Sequence, residues 1–439
     1  MSKNVRAPIL ARRAAGALSA CLAALLILAP GALAGPHRTS QGGSAYPAGA
    51  TRPTLHVTRA ELARLARARS RRPAPSRRKH KTRARQALQG NPARALVAFE
   101  AMQRHYYIAG SGLYAGEPFS FLWPFSQALA ATITLANVPA LASAMAPELQ
   151  ARLVGLQSYL DTDNSGAPEG TYTSTLAAFD GTVAPPAGPG GPKYYDDNDW
   201  VGIELVRLYK LTHNASVLGL AEGIMAFEMA GWQSSPELDC AGGIPFSNVI
   251  GNTDRNTVTT APAAELGVDL YRLTGNGAYL QFAQTAYEWV RACLLQPSGL
   301  YADHIEPNGV VEPMLWSYNQ GTMIGAGTLL YQATGNSAYL FQARQTAKAA
   351  LAYFTPERLG VENPFFPSVY FRNLLYLDSV THDPPGAKIA QAYVDYAWQN
   401  LRLSNDVFVA GSPASAQLLD QAAIVQIYAL LSSPPSTYF

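Results

Sequence analysis

The sequence predicts an all-α protein, an (α/α)6 barrel of six helical hairpins (twelve helices), and three observations lead there. Past Asn91 almost every segment carries apolar residues at helical period, with little β-branched alternation. A motif also recurs at spacings of 62 and 60 residues: Leu208-Tyr209-Lys210-Leu211-Thr212-His213-Asn214, then Leu270-Tyr271-Arg272-Leu273-Thr274-Gly275-Asn276, then Leu330-Tyr331-Gln332-Ala333-Thr334-Gly335-Asn336. A period near 60 that holds two helices indicates stacked hairpins. Finally, connections at the Thr-Gly-Asn end are tight, whereas 161–193, 232–255, 298–315, 355–365 and 402–412 are long. With the long connections gathered at one end, the barrel gains a single functional face. An open helical solenoid is the architectural alternative, and contact between the first and twelfth helices would exclude it.

The chain opens with Lys3, Arg6, Arg12 and Arg13, an apolar run from Ala14 to Ala29, and small residues at Ala32-Leu33-Ala34. That run is short for a membrane span and reads as a signal peptide, residues 1–34, cut after Ala34, so export is expected. Leu18-Ser19-Ala20-Cys21 resembles a lipidation site, but most of the apolar run follows Cys21, which favours simple cleavage. Residues 35–91 read as a disordered basic linker. From Thr51 to Arg94 there are fourteen Lys/Arg against one acid, a net of +13. From Ala95 onward fourteen Lys/Arg face twenty-nine Asp/Glu, a net of −15. The folded part, 92–439, is therefore acidic, and nucleic acid is not an expected partner. The linker could touch an anionic cell surface weakly or serve only as a soluble tether. Thr58–Arg69 could form a short helix. A monomer is the default expectation.

Twelve helical runs follow: 92–109, 121–137, 143–160, 194–212, 215–231, 256–274, 277–294, 316–334, 337–354, 366–382, 385–401 and 413–432. Gly275 and Gly335 suit the left-handed position that ends a helix. The even-numbered runs read as the inner ring. The eighth, Trp316–Thr334, has no charged residue and offers Gly321, Gly325 and Gly327 for close packing. The inner helices would all begin at the long-loop face, with aromatic, amide and hydroxyl residues at their starts. Aromatic faces stack on sugar rings and polar groups bind hydroxyls, although core packing accounts for any one aromatic alone. A pocket at that rim is the default site.

The fourth run starts at Tyr194-Tyr195-Asp196-Asp197-Asn198-Asp199-Trp200. Neighbouring side chains there point about 100° apart, so two carboxyl groups can flank one substrate atom. Their mutual repulsion keeps one protonated while the other is ionised. The alternative is helix capping by ordinary Asp and Asn residues.

As a set these segments resemble glycoside hydrolase family 76, the bacterial endo-α-1,6-mannanases. The resemblance rests on Tyr195-Asp196-Asp197 with Trp200, Gly242-Gly243-Ile244-Pro245-Phe246, and the Leu-Tyr-x-x-Thr-Gly repeats. It continues through Gly299-Leu300-Tyr301-Ala302-Asp303, Trp316-Ser317-Tyr318-Asn319-Gln320-Gly321 and Tyr370-Phe371-Arg372-Asn373-Leu374, covering roughly 92–432. The chain departs from the family's pattern at Val201, where a second aromatic residue is common, and at Phe246, where Trp is frequent. The resemblance implies an (α/α)6 barrel and a retaining mechanism, with Asp196 as nucleophile and Asp197 as acid and then base. Asp199 would cap or orient. Tyr195, Trp200, Trp316, Tyr318, Asn319 and Gln320 would line sugar subsites on a mannan-like polysaccharide.

No cofactor is implied, and no metal site: Cys/His motifs with zinc spacing are absent from the sequence. Asp161-Thr162-Asp163-Asn164-Ser165-Gly166 imitates the start of a calcium loop, but Tyr172 stands where its closing Glu would be. Cys240 and Cys293 could pair in an oxidising compartment. His304 and His382 read as structural. Two rival functions remain at this point, a non-catalytic sugar-binding barrel and a hydrolase of another α-glycan.

Overall fold

Six helices are buried on nearly every side, and the others enclose them. The structure, a computed structural model, describes residues 88–162, 164, 170–410 and 416–439. The expected signal peptide, Cys21, the Thr58–Arg69 helix and nearly all of the basic linker lie outside the described residues.

The helices are α1 (Gly90–Tyr106), α2 (Leu122–Asn137), α3 (Ala142–Gln157), α4 (Tyr195–Thr212), α5 (Ala215–Ala230), α6 (Thr257–Thr274) and α7 (Gly277–Leu294). There follow α8 (Ser317–Thr334), α9 (Ser337–Tyr353), the short α10 (Pro356–Val361), α11 (Phe365–Thr381), α12 (Pro385–Asn400) and α13 (Leu418–Leu430). Only α10, an insertion in a long loop, has no counterpart in the predicted set. The inner ring runs α2, α4, α6, α8, α11, α13 and returns to α2, each helix packing on the next. The fold is an (α/α)6 barrel. Closure excludes the solenoid: α1 packs on α13, Gln421 Nε2 donates to Ala98 O at 2.8 Å, and Gln426 Nε2 donates to Gln127 O at 3.2 Å.

Inner and outer helices solve different burial problems. Nearly the whole of α4 is buried, while α7 buries only one face through Ala283, Ala286, Tyr287, Trp289, Val290 and Leu294. Several threonine hydroxyls on inner helices bond back one turn, as in Thr132 to Ala128 O (2.8 Å) and Thr328 to Ile324 O (2.7 Å), which satisfies those donors. Gly275 and Gly335 end α6 and α8 with φ of +73°, as the repeat predicts, and His213 takes the same conformation at the end of α4.

The barrel axis is polar. Glu204 accepts from Arg207 Nη1 at 2.7 Å and from Arg372 Nη1 at 2.9 Å, and Arg207 Nη2 donates to Thr134 Oγ1 at 3.1 Å. Glu204 and Arg207 each find several partners, while Arg372 has Glu204 and the face of the Phe439 ring.

The long loops carry two small sheets that the all-helical reading does not anticipate. Strand β1 (Leu160–Asp161) pairs antiparallel with β2 (Ala178–Phe179). A second sheet has the order β3 (Arg255–Asn256), β4 (His304–Ile305), β5 (Val311–Glu312), also antiparallel. Cys240 and Cys293 form a disulfide that ties the α5–α6 loop to the last turn of α7.

Gly321 and Gly325 are where α8 meets α11. A Cβ on Gly321 would sit 2.7 Å from the Tyr370 backbone, and one on Gly325 would overlap Asn373 Oδ1 and Glu265 Oε1. Gly325→Ala therefore overpacks a junction of two inner helices and a buried acid. We expect a loss of about 1–3 kcal/mol in urea unfolding; an unchanged midpoint would show that α8 and α11 are not held at this distance.

Candidate active site

The N-terminal turns of the inner helices face the long loops, so anything in those turns meets the mouth of the barrel. α4 puts Asp196 and Asp197 there. Both are buried, each 7% exposed. The turn is held from two sides. Asn198, itself fully buried, accepts from Phe179 N–H at 2.8 Å and donates to Phe179 O (3.0 Å) and Tyr194 O (2.8 Å). Across the mouth, Tyr195 N–H donates to Phe246 O at 3.1 Å. The Tyr194 side chain makes no capping bond, and Asp196 and Asp197 lie in the first turn, where the helix N-terminus favours negative charge whatever else they do.

Desolvation dominates their electrostatics. Burial pushes Asp196 up to about 7, with the Asp303 charge adding to it and backbone N–H groups of Asp196 and Asp197 pulling the other way. Burial and then the Asp196 charge raise Asp197 well above the carboxylate range. The pair thus tends to hold one proton between its members in the neutral range. More acid lies behind it. Asp199, Glu228 and Glu265 are buried and raised well above normal by burial first; neither oxygen of Asp199 or Glu228 has a hydrogen-bond partner, while Asn373 bonds to Glu265. Asp199 is neither a cap nor exposed; it sits one turn in, where the Asp196 and Glu265 charges bear on it.

The predicted lining residues divide. Trp316 and Tyr318 stand half-buried at the start of α8 and meet Phe366 of α11. Tyr318 stacks on Phe366 at 4.4 Å between ring centres, and Trp316 lies 5.0 Å from it. Trp123 of α2 approaches Phe366 at 6.4 Å, so three inner helices share one aromatic wall. Asn319 Nδ2 donates to Asp303 Oδ1 at 3.2 Å and positions a rim carboxylate.

The other three face inward. Tyr195 is buried and stacks on Phe227 at 4.5 Å, while Trp200 belongs to the core. Gln320 spends its amide on the backbone of Tyr301 and Trp316. These residues support the site from behind. Instead it is Tyr194, half-buried, whose hydroxyl is raised by burial and by the charges of Asp197 and Asp196. Its ring packs on Phe246 at 5.4 Å. The choice between two consecutive tyrosines turns on helix phase, which the sequence fixes only when the first helical residue is known. His304, read as isolated, contacts Asp303 through Nδ1 at 3.1 Å, and that bond is the first cause of its raised pKa. Only the spacing Asp303-His304-x-Glu306 hinted at it. Among the described residues no cluster of three potential ligands could hold a metal ion, and no helix is long and apolar enough to cross a membrane.

The mouth of this closed double ring of helices thus brings together an aromatic wall and a pair of buried, adjacent carboxyl groups. Residues 172–374 match the family model for glycosyl hydrolase family 76. Among curated proteins it resembles the mannan endo-1,6-alpha-mannosidase DCW1 of Saccharomyces cerevisiae, 26% identical over 146 residues, 31% of this chain and 32% of that one. The mannan endo-1,6-alpha-mannosidase DFG5 of the same yeast is 24% identical over 156 residues, 33% of each chain. The matched stretch thus spans about a third of the length of these relatives. Among solved structures, the family 76 mannosidase Bt3792 of Bacteroides thetaiotaomicron superposes with a TM-score of 0.67 at 21% identity, over 78% of this chain and 98% of that one. An inactive variant of the α-1,6-mannanase GH76A of a Salegentibacter species, in complex with α-1,6-mannotriose, gives 0.64 at 20% identity, over 78% and 99%. In that variant two consecutive aspartates are replaced by asparagine.

The raised carboxyls set a direction for stability against pH. Asp180, Asp196 and Asp420 are each pushed up to about 7, chiefly by burial. The folded chain holds protons that the unfolded chain has already released, so their contribution is complete below about pH 4 and is lost as pH rises through about 7. Thermal melts should give a higher Tm near pH 5 than near pH 8, and Asp196→Asn should narrow the gap. A Tm that climbs over this interval would contradict the assignment.

Proposed function

We propose that this chain is a glycoside hydrolase acting on α-1,6-linked mannan, endo in its cutting and retaining in its stereochemistry. The observation that carries the reading is the Asp196–Asp197 pair, adjacent, buried and raised, in the first turn of an inner helix at the barrel mouth. In this reading the ionised Asp196 attacks the anomeric carbon while Asp197 gives its proton to the departing glycosidic oxygen. A glycosyl ester to Asp196 forms as the sugar–oxygen bond breaks. Asp197, now a carboxylate, takes a proton from water, whose oxygen displaces Asp196 and releases the sugar. The greater upward pressure on Asp197, which feels the Asp196 charge, supports its role as the acid. Retention calls for carboxyl groups about 5–5.5 Å apart, a separation open to neighbouring residues of one turn.

The α-1,6-mannan substrate follows from the activities of the relatives, and the wall of Trp316, Tyr318 and Phe366 supplies ring faces suited to sugars. Residues 92–439 would form the catalytic domain of an exported monomer, behind a signal peptide at 1–34 and a basic linker at 35–91. A purely sugar-binding role gives no account of a buried acid pair that shares a proton.

Asp196→Asn and Asp197→Asn should each lower kcat on linear α-1,6-mannan by about 10³-fold, with the fold intact by circular dichroism. Proton NMR of the first product should show the α-anomer before mutarotation. A β-anomer would overturn retention, and near-normal turnover in either variant would remove the catalytic pair.

A further inference from the structure

The segment that leads into α4 is held by a buried ammonium. Lys193, three residues before Asp196, is fully buried. Its Nζ donates to Asp161 Oδ2 at 2.9 Å and to Asn164 Oδ1, and Asp180 Oδ1 lies 3.7 Å away. Its backbone is fixed as well: the N–H donates to Asn248 Oδ1 at 3.0 Å, and the carbonyl accepts from Asn248 N–H at 3.0 Å. Asp161 belongs to β1, and Asp180 directly follows β2, so both carboxylates come from the rim hairpin.

A buried ammonium costs several kcal/mol unless carboxylates and further hydrogen bonds meet it in good geometry. That requirement works in both directions. The ammonium stays only where Asp161, Asn164 and Asp180 place it, and the hairpin stays only where Lys193 reaches. The Asn198–Phe179 bonds tie the same hairpin to α4 two residues past Asp196. Asp196 and Asp197 are thus bracketed by two ties to one rim element.

The geometry points to Lys193 as a positioning residue: through Asp161 and Asp180 it fixes the approach of the rim hairpin to the turn that bears Asp196 and Asp197. This rests on the proposed catalytic pair and adds a residue that touches no substrate. A displacement near 1 Å at reacting groups is worth about 10²-fold in rate, so a loosened tie shows in kcat. Substrate held by the aromatic wall, none of whose rings is a partner of Lys193, leaves KM largely unchanged.

Lys193→Met alone strands two buried carboxylates and so risks the fold. The decisive companion is Lys193→Met with Asp161→Asn and Asp180→Asn, which removes the whole charge set and leaves nothing uncompensated. Both variants are compared with wild type on linear α-1,6-mannan, with thermal melts alongside. We expect kcat to fall at least about tenfold in each, KM to stay within about threefold, and the triple variant to melt close to wild type. Full kcat in the triple variant would reduce Lys193 to charge balance and overturn the inference; should the single variant not fold, the triple decides alone. A triple variant that does not fold overturns it too, since the cluster is then a requirement of the fold. A wild type with no turnover on any α-mannan removes the hydrolase reading instead, which separates the two failures.

Discussion

Burying carboxyl groups away from any spare cation is the constraint on which this structure turns. The arginines nearest the axis, Arg207 and Arg372, are both committed to Glu204. Lys193 is committed to the rim hairpin, and Arg255 gives its guanidinium to the carbonyls of Asp239, Cys240 and Glu306. Asp196, Asp197, Asp199 and Glu228 therefore share a poorly solvated region with one another and keep protons that exposed carboxyls would release. A barrel open on one side would admit water and relax all of them. Closure of α13 on α2 is thus a condition of the chemistry as well as of the fold.

The two rings divide the work. Inner helices supply the first turns that meet the mouth, and their interiors are packed tightly enough that α8 needs glycine where it meets α11. Outer helices are amphipathic and act as struts, yet one of them reaches the site: Glu228 lies in the last turn of α5 and bears on Asp199 and Asp196. The long loops then place the rim. Cys240 anchors the α5–α6 loop to α7, and both Trp289 Nε1 and Arg255 bond to the Cys240 carbonyl. Further along, Phe246 of the same loop accepts from Tyr195 N–H. The disulfide, the Arg255 knot and the start of α4 form one continuous support.

Much of this was legible in the sequence because helical period and a 60-residue repeat are strong signals, robust to an error of a residue or two. The acid pair was legible for the same reason, as it opens a run whose start is clear. Less could be read where the deciding factor is tertiary. Strands of two residues carry no periodicity, so both rim sheets went unseen. Tyr194 and Tyr195 differ only in helix phase, and the one that faces the aspartates is the one outside the helix. Gln320 has the composition of a sugar ligand, but the backbone of Tyr301 claims it. Glu228 and Lys193 become relevant only through partners about thirty residues away.

The two departures from the family's aromatic pattern have different meanings once placed. Val201 is fully buried in the inner-ring core, where a smaller side chain is a matter of packing between helices and leaves the mouth untouched. Phe246 is 39% exposed and lies against Tyr194 beside the carboxyl pair. A phenyl ring there offers a stacking face without the N–H of an indole, so any sugar hydroxyl next to it must find its partner elsewhere on the rim. Asp303, oriented by Asn319 and His304 and near enough to Asp196 for their charges to interact, is the polar group that the mouth offers in that direction. If the chain acts on a sugar as proposed, its preference is to be sought at Phe246 and along the Asp303 side of the rim, and not at Val201.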